Sequence, residues 1–138
     1  MDMKALCETI LWLWQLPQNL LGLLLLFYYS HEKEYYKLNR RRFYFTDEMK
    51  SGISLGNYII MNREDNEDGM KHEYGHSIQS RILGPLYLVI IGIPSGLYNL
   101  IDQLIVEKAV GLERSIILYY NMPWEKWADK LGGVNRKP

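Results

Sequence analysis

His72-Glu73-Tyr74-Gly75-His76 is the stretch of this chain whose residue types and spacing carry the most chemistry. Side chains four apart share one face of a helix, so His72 and His76 can aim imidazole nitrogens at a single ion. Glu73, beside the first histidine, projects toward the ion's open position. There it can act as general base, taking a proton from an attacking water and passing it to a leaving amine. Zinc suits the work, because three protein ligands leave one coordination position for chemistry. Gly75 reads as room beside the metal.

Two histidines do not complete a site. The downstream candidates for the third ligand are Asp102, Glu107, Glu113, Glu125 and Asp129. Glu125-Lys-Trp-Ala-Asp129 is favoured, with Glu113 as the rival. It offers a carboxylate near a helix start and a second acid one turn on. Asp129 would then accept the remaining ring N–H of a ligating histidine. Tyr119 or Tyr120 could supply a hydroxyl to a developing oxyanion, with Tyr120 the favoured candidate.

The elements that hold these residues follow from pattern. Arg42–Thr46 reads as a strand. Ser51–Met61, with partial alternation and punctuating glycines, reads as a strand or hairpin. Within it Ile53, Leu55 and Tyr58 are the candidate substrate-binding positions, on an edge strand to which a peptide backbone could add. An acidic loop leads into a helix over about Met70–Leu83, stopped by Gly84-Pro85. The pattern then predicts an apolar segment broken at Pro94-Ser-Gly96, a helix to about Tyr120, and a last helix over Trp124–Leu131 closed by Gly132-Gly133. Residues 32–42 have the composition of a short amphipathic helix. The fold class is mainly α with a small β hairpin or sheet.

The chain has 138 residues and a formal net charge of zero, enough for one core and without the basic excess of a nucleic-acid binder. Its one cysteine, Cys7, excludes an internal disulfide framework and reads as a small apolar filler. Thr9–Ser30 and Ile82–Ile101 carry no charge. The first is about as long as a membrane helix, with Trp12 and Trp14 toward one end and Tyr28 and Tyr29 at the other. Lys33, Lys37, Arg40, Arg41 and Arg42 follow it, which predicts that residue 31 onward is cytoplasmic, with Arg40–Arg42 a solvated basic patch near lipid headgroups. The expected organisation is an N-terminal membrane helix over 1–30 and a catalytic domain over 31–138. Both metal-binding halves must lie on one side of the bilayer, so 83–100 is expected to form a membrane-associated hairpin rather than a single span.

H-E-x-x-H followed about fifty residues later by E-x-x-A-D resembles the gluzincins, especially membrane peptidases of the HtpX and CAAX-prenyl-protease type. His72–Leu88 and Trp124–Val134 also resemble small bacterial membrane proteins with H-E-x-G-H-x-x-Q-S. The resemblance implies a minimal zincin-like core, Zn2+ held by His72, His76 and Glu125, Glu73 as base and Asp129 in support. It also implies peptide-bond hydrolysis in a peptide or membrane-protein substrate, at the cytoplasmic face of a bacterial inner membrane. The several membrane helices of the larger peptidases are lacking. The alternative from another class is a non-catalytic, zinc-stabilised membrane adaptor, for which an intact Glu73 would have no use.

Overall fold

The computed structural model describes residues 2–29 and 35–136. Helices α1 (Met3–Trp14) and α2 (Leu16–Tyr28) are followed by strands β1 (Tyr35–Leu38), β2 (Arg41–Thr46), β3 (Ile53–Leu55) and β4 (Tyr58–Asn62). Helix α3 (Glu67–Leu83) carries both histidines. Then come α4 (Leu88–Val110), α5 (Leu112–Tyr120) and α6 (Pro123–Gly132). The chain is mainly helical, with one small mixed sheet of order β1-β2-β4-β3. β2 and β4 are parallel, the outer pairs are antiparallel, and β3 is an edge strand.

Alternation along β4 gives the sheet two apolar faces, because successive side chains point to opposite sides. Tyr58 and Ile60 pack with Leu26 of α2. Ile59 and Met61 pack with Phe43 of β2, and Met70 and Tyr74 of α3 lie against them. The sheet is thus held between α2 and the histidine-bearing helix.

Several expectations are corrected. The N-terminal apolar stretch is not one helix but two, bent by 82° at Gln15. The cause is polar. Gln18 Nε2 donates to Ser80 Oγ (3.0 Å) and to the Gly84 carbonyl (2.7 Å), while Ser80 Oγ donates to Gln15 Oε1 (2.8 Å). Asn19 donates to the Trp12 carbonyl (2.9 Å) and accepts from the Asn57 amide (2.8 Å). Buried amides must find partners, and these find them on α3 and the β3–β4 turn only if the helix breaks. Of the helix expected over residues 32–42, positions 32–34 lie outside the described residues. Tyr35–Leu38 is instead a strand, because β2 offers a pairing edge and Asn39 and Arg40 take the left-handed turn between them. Arg41 is buried, its Nε donating to Ser77 Oγ (3.0 Å), so only Arg40 and Arg42 of that cluster reach solvent. Cys7 is exposed rather than a filler.

The largest difference lies at Pro94-Ser-Gly96. No break occurs there. Leu88–Gly92 winds as a π turn, which widens the helix and displaces the bonding pattern just before the proline, so its missing N–H is absorbed. The chain reverses at Gly111 instead, where φ is +87°. Ser115 Oγ then donates to Asp102 Oδ2 (2.7 Å), holding α5 back along α4. At 23 residues α4 is long and apolar enough to cross a bilayer, and only 6% of its apolar window is buried. α5 has nine residues, about 14 Å, too short to cross again.

Candidate metal centre

Asn66 caps α3 by accepting from the Gly69 amide (3.0 Å), and Glu67 and Asp68 complement the positive end of its dipole. This start presents His72 and His76 one turn apart toward α6. The two helices cross very closely. A Cβ on Gly75 would lie 1.9 Å from the Ala128 carbonyl oxygen, and one on Gly132 equally close to that of Lys71. The space at Gly75 therefore admits the backbone of α6 rather than leaving room beside a metal. That close crossing is what brings Glu125 and Asp129 to the histidines.

Three atoms converge. His72 Nε2 and His76 Nε2 are 3.1 Å apart, and each lies 3.0 Å from Glu125 Oε2. Tetrahedral bonds of about 2.0–2.1 Å would put neighbouring donor atoms about 3.3 Å apart, so the triangle fits a zinc-sized ion. The proton inventory agrees. Gln79 Nε2 donates to the Trp124 carbonyl (2.8 Å), which can only accept. Gln79 Oε1 therefore faces His76 Nδ1 (2.7 Å) and requires an N–H there. His72 Nδ1 likewise faces Asp129 Oδ1 at 2.7 Å. With both Nδ1 atoms as donors, each imidazole would, on giving up any Nε2 proton, turn an Nε2 lone pair toward the same point as a carboxylate oxygen. His72, His76 and Glu125 form a buried group able to hold a metal ion.

The charges are strongly perturbed. Burial works against a charged His72, but hydrogen bonds to Asp129 and Glu125 outweigh it and hold its pKa up at about 9. Burial also opposes the Glu125 carboxylate, yet hydrogen bonds from His72 and His76 keep it far below the usual range. Metal uptake must therefore displace a proton from this group. Glu73 behaves oppositely. Burial raises its pKa, against the pull of His76 and His72. Its Oε2 is buried without a hydrogen-bond partner, a free acceptor beside the cluster.

Asp129 stands where expected, and Arg136 Nε also donates to its Oδ2 (2.8 Å). Glu113 is exposed on α5 and outside the cluster. Tyr120 stacks its ring edge-on to His72, centroids 5.1 Å apart, beneath the Arg136 guanidinium. Tyr119 is the tyrosine whose hydroxyl turns inward, 3.2 Å from Ser95 Oγ, and Ser95 donates to Glu125 Oε1 (2.5 Å). Ile53 and Leu55 line a cleft at the site, whereas Tyr58 lies on β4 in the core against Leu26 and Ile60. Gln79 and Ser95 were not anticipated. Gln79 had a readable signal, being three residues from His76 on the same helical face. Ser95 had none, because Pro94-Ser-Gly96 reads locally as a break.

Gly52 completes the geometry. A Cβ there would stand 2.8 Å from Glu73 Cγ and 2.9 Å from its carboxyl carbon. Gly52→Ala should therefore displace Glu73 without touching a ligand. Zinc content should stay at the wild-type level while any hydrolytic rate that depends on Glu73 falls at least about tenfold, since a misplacement of about 1 Å can cost about 10²-fold. Zinc titration alongside a rate assay checks both.

No protein-family model, curated protein or solved structure matches this chain.

Proposed function

We propose that the protein is a zinc-dependent peptidase, with a zincin-like core, that works at a membrane surface. The observation that carries this reading is the conjunction of three converging lone pairs with a buried, unpartnered Glu73 beside them. A purely structural zinc site would be closed by its ligands and would not call for such a carboxyl group. His72, His76 and Glu125 would hold the ion, which supplies Lewis acidity to a scissile carbonyl.

The chain's own groups do the rest. Asp129 and Gln79 fix the tautomers of His72 and His76, and Ser95 orients Glu125 through its second oxygen. Glu73, its pKa raised by burial, takes a proton from the attacking water and returns it to the departing amine. Tyr119, at the waist of the cleft, replaces Tyr120 as the hydroxyl available to the substrate carbonyl.

A membrane setting is supported by α4 and by the outer face of α2. Leu24 and Phe27 of α2 are 64% and 93% exposed, and Val89, Ile93, Leu97 and Leu104 of α4 are each more than half exposed. That much uncovered aliphatic surface calls for lipid. Ser95 of α4 meets Glu125, and Ser115 of α5 meets Asp102 of α4, so α4 lies beside the site with its apolar face along the bilayer, and His72 and Glu125 stay on one side without any crossing between them. Lys37, Arg40 and Arg42, following the apolar N-terminal helices, favour the cytoplasmic side by the excess of positive charge.

The test is hydrolysis of a peptide library by the zinc-loaded protein in a non-ionic detergent, read by mass spectrometry. Cleavage should stop on chelation and return with zinc. A zinc-loaded protein that cleaves nothing, or cleavage indifferent to chelation, would overturn the reading.

A further inference from the structure

Two clefts of opposite character meet at Glu73. One, of about 450 Å³, is lined on its far side by Leu21, Leu24, Ile53, Leu88 and Ile93, and it touches the site through His76. The other, of about 330 Å³, touches the site through His72 and is lined by Asp65, Asp102 and Glu107, with Lys50 as its one lysine or arginine. Ser51, Gly52, Glu73, Asn99 and Tyr119 line both. They form a waist, closed on one side by Asn99 Nδ2 donating to Ser51 Oγ (3.5 Å). The two clefts thus adjoin at the metal centre, one on each side of these shared residues.

Each half has unmet chemistry. The first is walled by aliphatic side chains that gain by covering an apolar group. In the second, Asp102 gives one oxygen to Ser115, and its other oxygen is buried without a partner. Glu73, more than nine-tenths buried and unpartnered, stands between them. A buried acceptor without a donor is costly, and a cationic donor from a ligand would satisfy it.

We propose, on the basis of the peptidase reading above, that the substrate is a peptide with a bulky aliphatic residue on one side of the scissile bond and a lysine or arginine on the other. The aliphatic residue occupies the His76-side cleft between α2 and α4. The basic residue occupies the His72-side cleft against Asp102 and Asp65. A chain passing from an apolar segment into a basic flank has this pattern, and the exposed leucines of α2 place the apolar mouth where such a segment would lie.

The experiment uses the full-length Glu73→Gln variant, zinc-loaded and in non-ionic detergent, so that a bound peptide is retained. Fluorescent peptides joining leucines to arginine-lysine, to glutamate-glutamate or to serine-threonine, in both chain directions, are titrated by anisotropy against a protein-free control. The leucine–basic peptide should bind about tenfold more tightly than the leucine–acidic one. That gap should shrink to less than about threefold when Asp102→Asn is added, with zinc content reporting that the fold survives. Equal affinity for basic and acidic peptides, no binding of the basic one, or an unchanged gap in Asp102→Asn would overturn the specificity. Wild-type protein that cleaves without this preference would sink the inference and leave hydrolysis standing. Preferential binding without any cleavage would sink hydrolysis and leave the binding clefts.

Discussion

Glu73→Gln is expected to keep zinc and fold and to lose hydrolysis by about 10²–10⁴-fold, the range general acid–base catalysis supplies. Glutamine nearly matches glutamate in shape, so the packing against Gly52 and the waist of the cleft should survive. It cannot take and return a proton. The Glu73 side chain is also outside the three-atom cluster, so zinc stoichiometry should equal that of wild type. Because Glu73 sits buried without a hydrogen-bond partner for Oε2, replacing its carboxyl with an amide leaves no salt bridge broken. Thermal stability should therefore hold or rise slightly. A variant that cleaves at the wild-type rate would remove Glu73 from the mechanism. A variant that loses zinc as well would recast it as a ligand.

Glu125→Gln is expected to weaken zinc binding by more than about 100-fold, since even outer partners of metal ligands cost 10–100-fold when removed. Glu125 is fully buried with Oε2 3.0 Å from Nε2 of both histidines, so its amide analogue would place an N–H or a neutral oxygen where a charged oxygen completes the triangle. The same substitution at Glu113 should change nothing, because that side chain lies exposed on α5. Competition with a chromophoric chelator measures both. Retention of zinc by Glu125→Gln together with its loss in Glu113→Gln would reverse the assignment.

What could be read in the sequence was what local periodicity dictates. The spacing of His72 and His76 on one helical face, the carboxylate at the start of α6 and the acid one turn beyond it are all consequences of 3.6 residues per turn. The segment Ser51–Met61 carried alternation and glycine signals for the strands β3 and β4, and the strand read over Arg42–Thr46 begins one residue earlier, at Arg41. The features that escaped are set by partners distant in sequence. Gln15, Gln18 and Asn19 look like flaws in a membrane helix until Ser80, Gly84 and Asn57 supply their hydrogen bonds. Pro94 looks like a helix breaker until a π turn absorbs it, and Gly111 carries no mark that separates it from the other glycines. Gly75 illustrates the same limit at the site itself: its spacing suggested room for an ion, but only the packing of α6 reveals that a backbone carbonyl fills that room.

The zinc K-edge X-ray absorption spectrum of the full-length protein, taken after zinc loading and removal of excess metal, tests the central assignment most directly. It should show one zinc per chain in a four-coordinate shell of nitrogen and oxygen only, at about 2.0–2.2 Å, with the multiple-scattering signature of two imidazoles. A six-oxygen shell, a sulfur at about 2.3 Å from Cys7, or no stoichiometric zinc would contradict it.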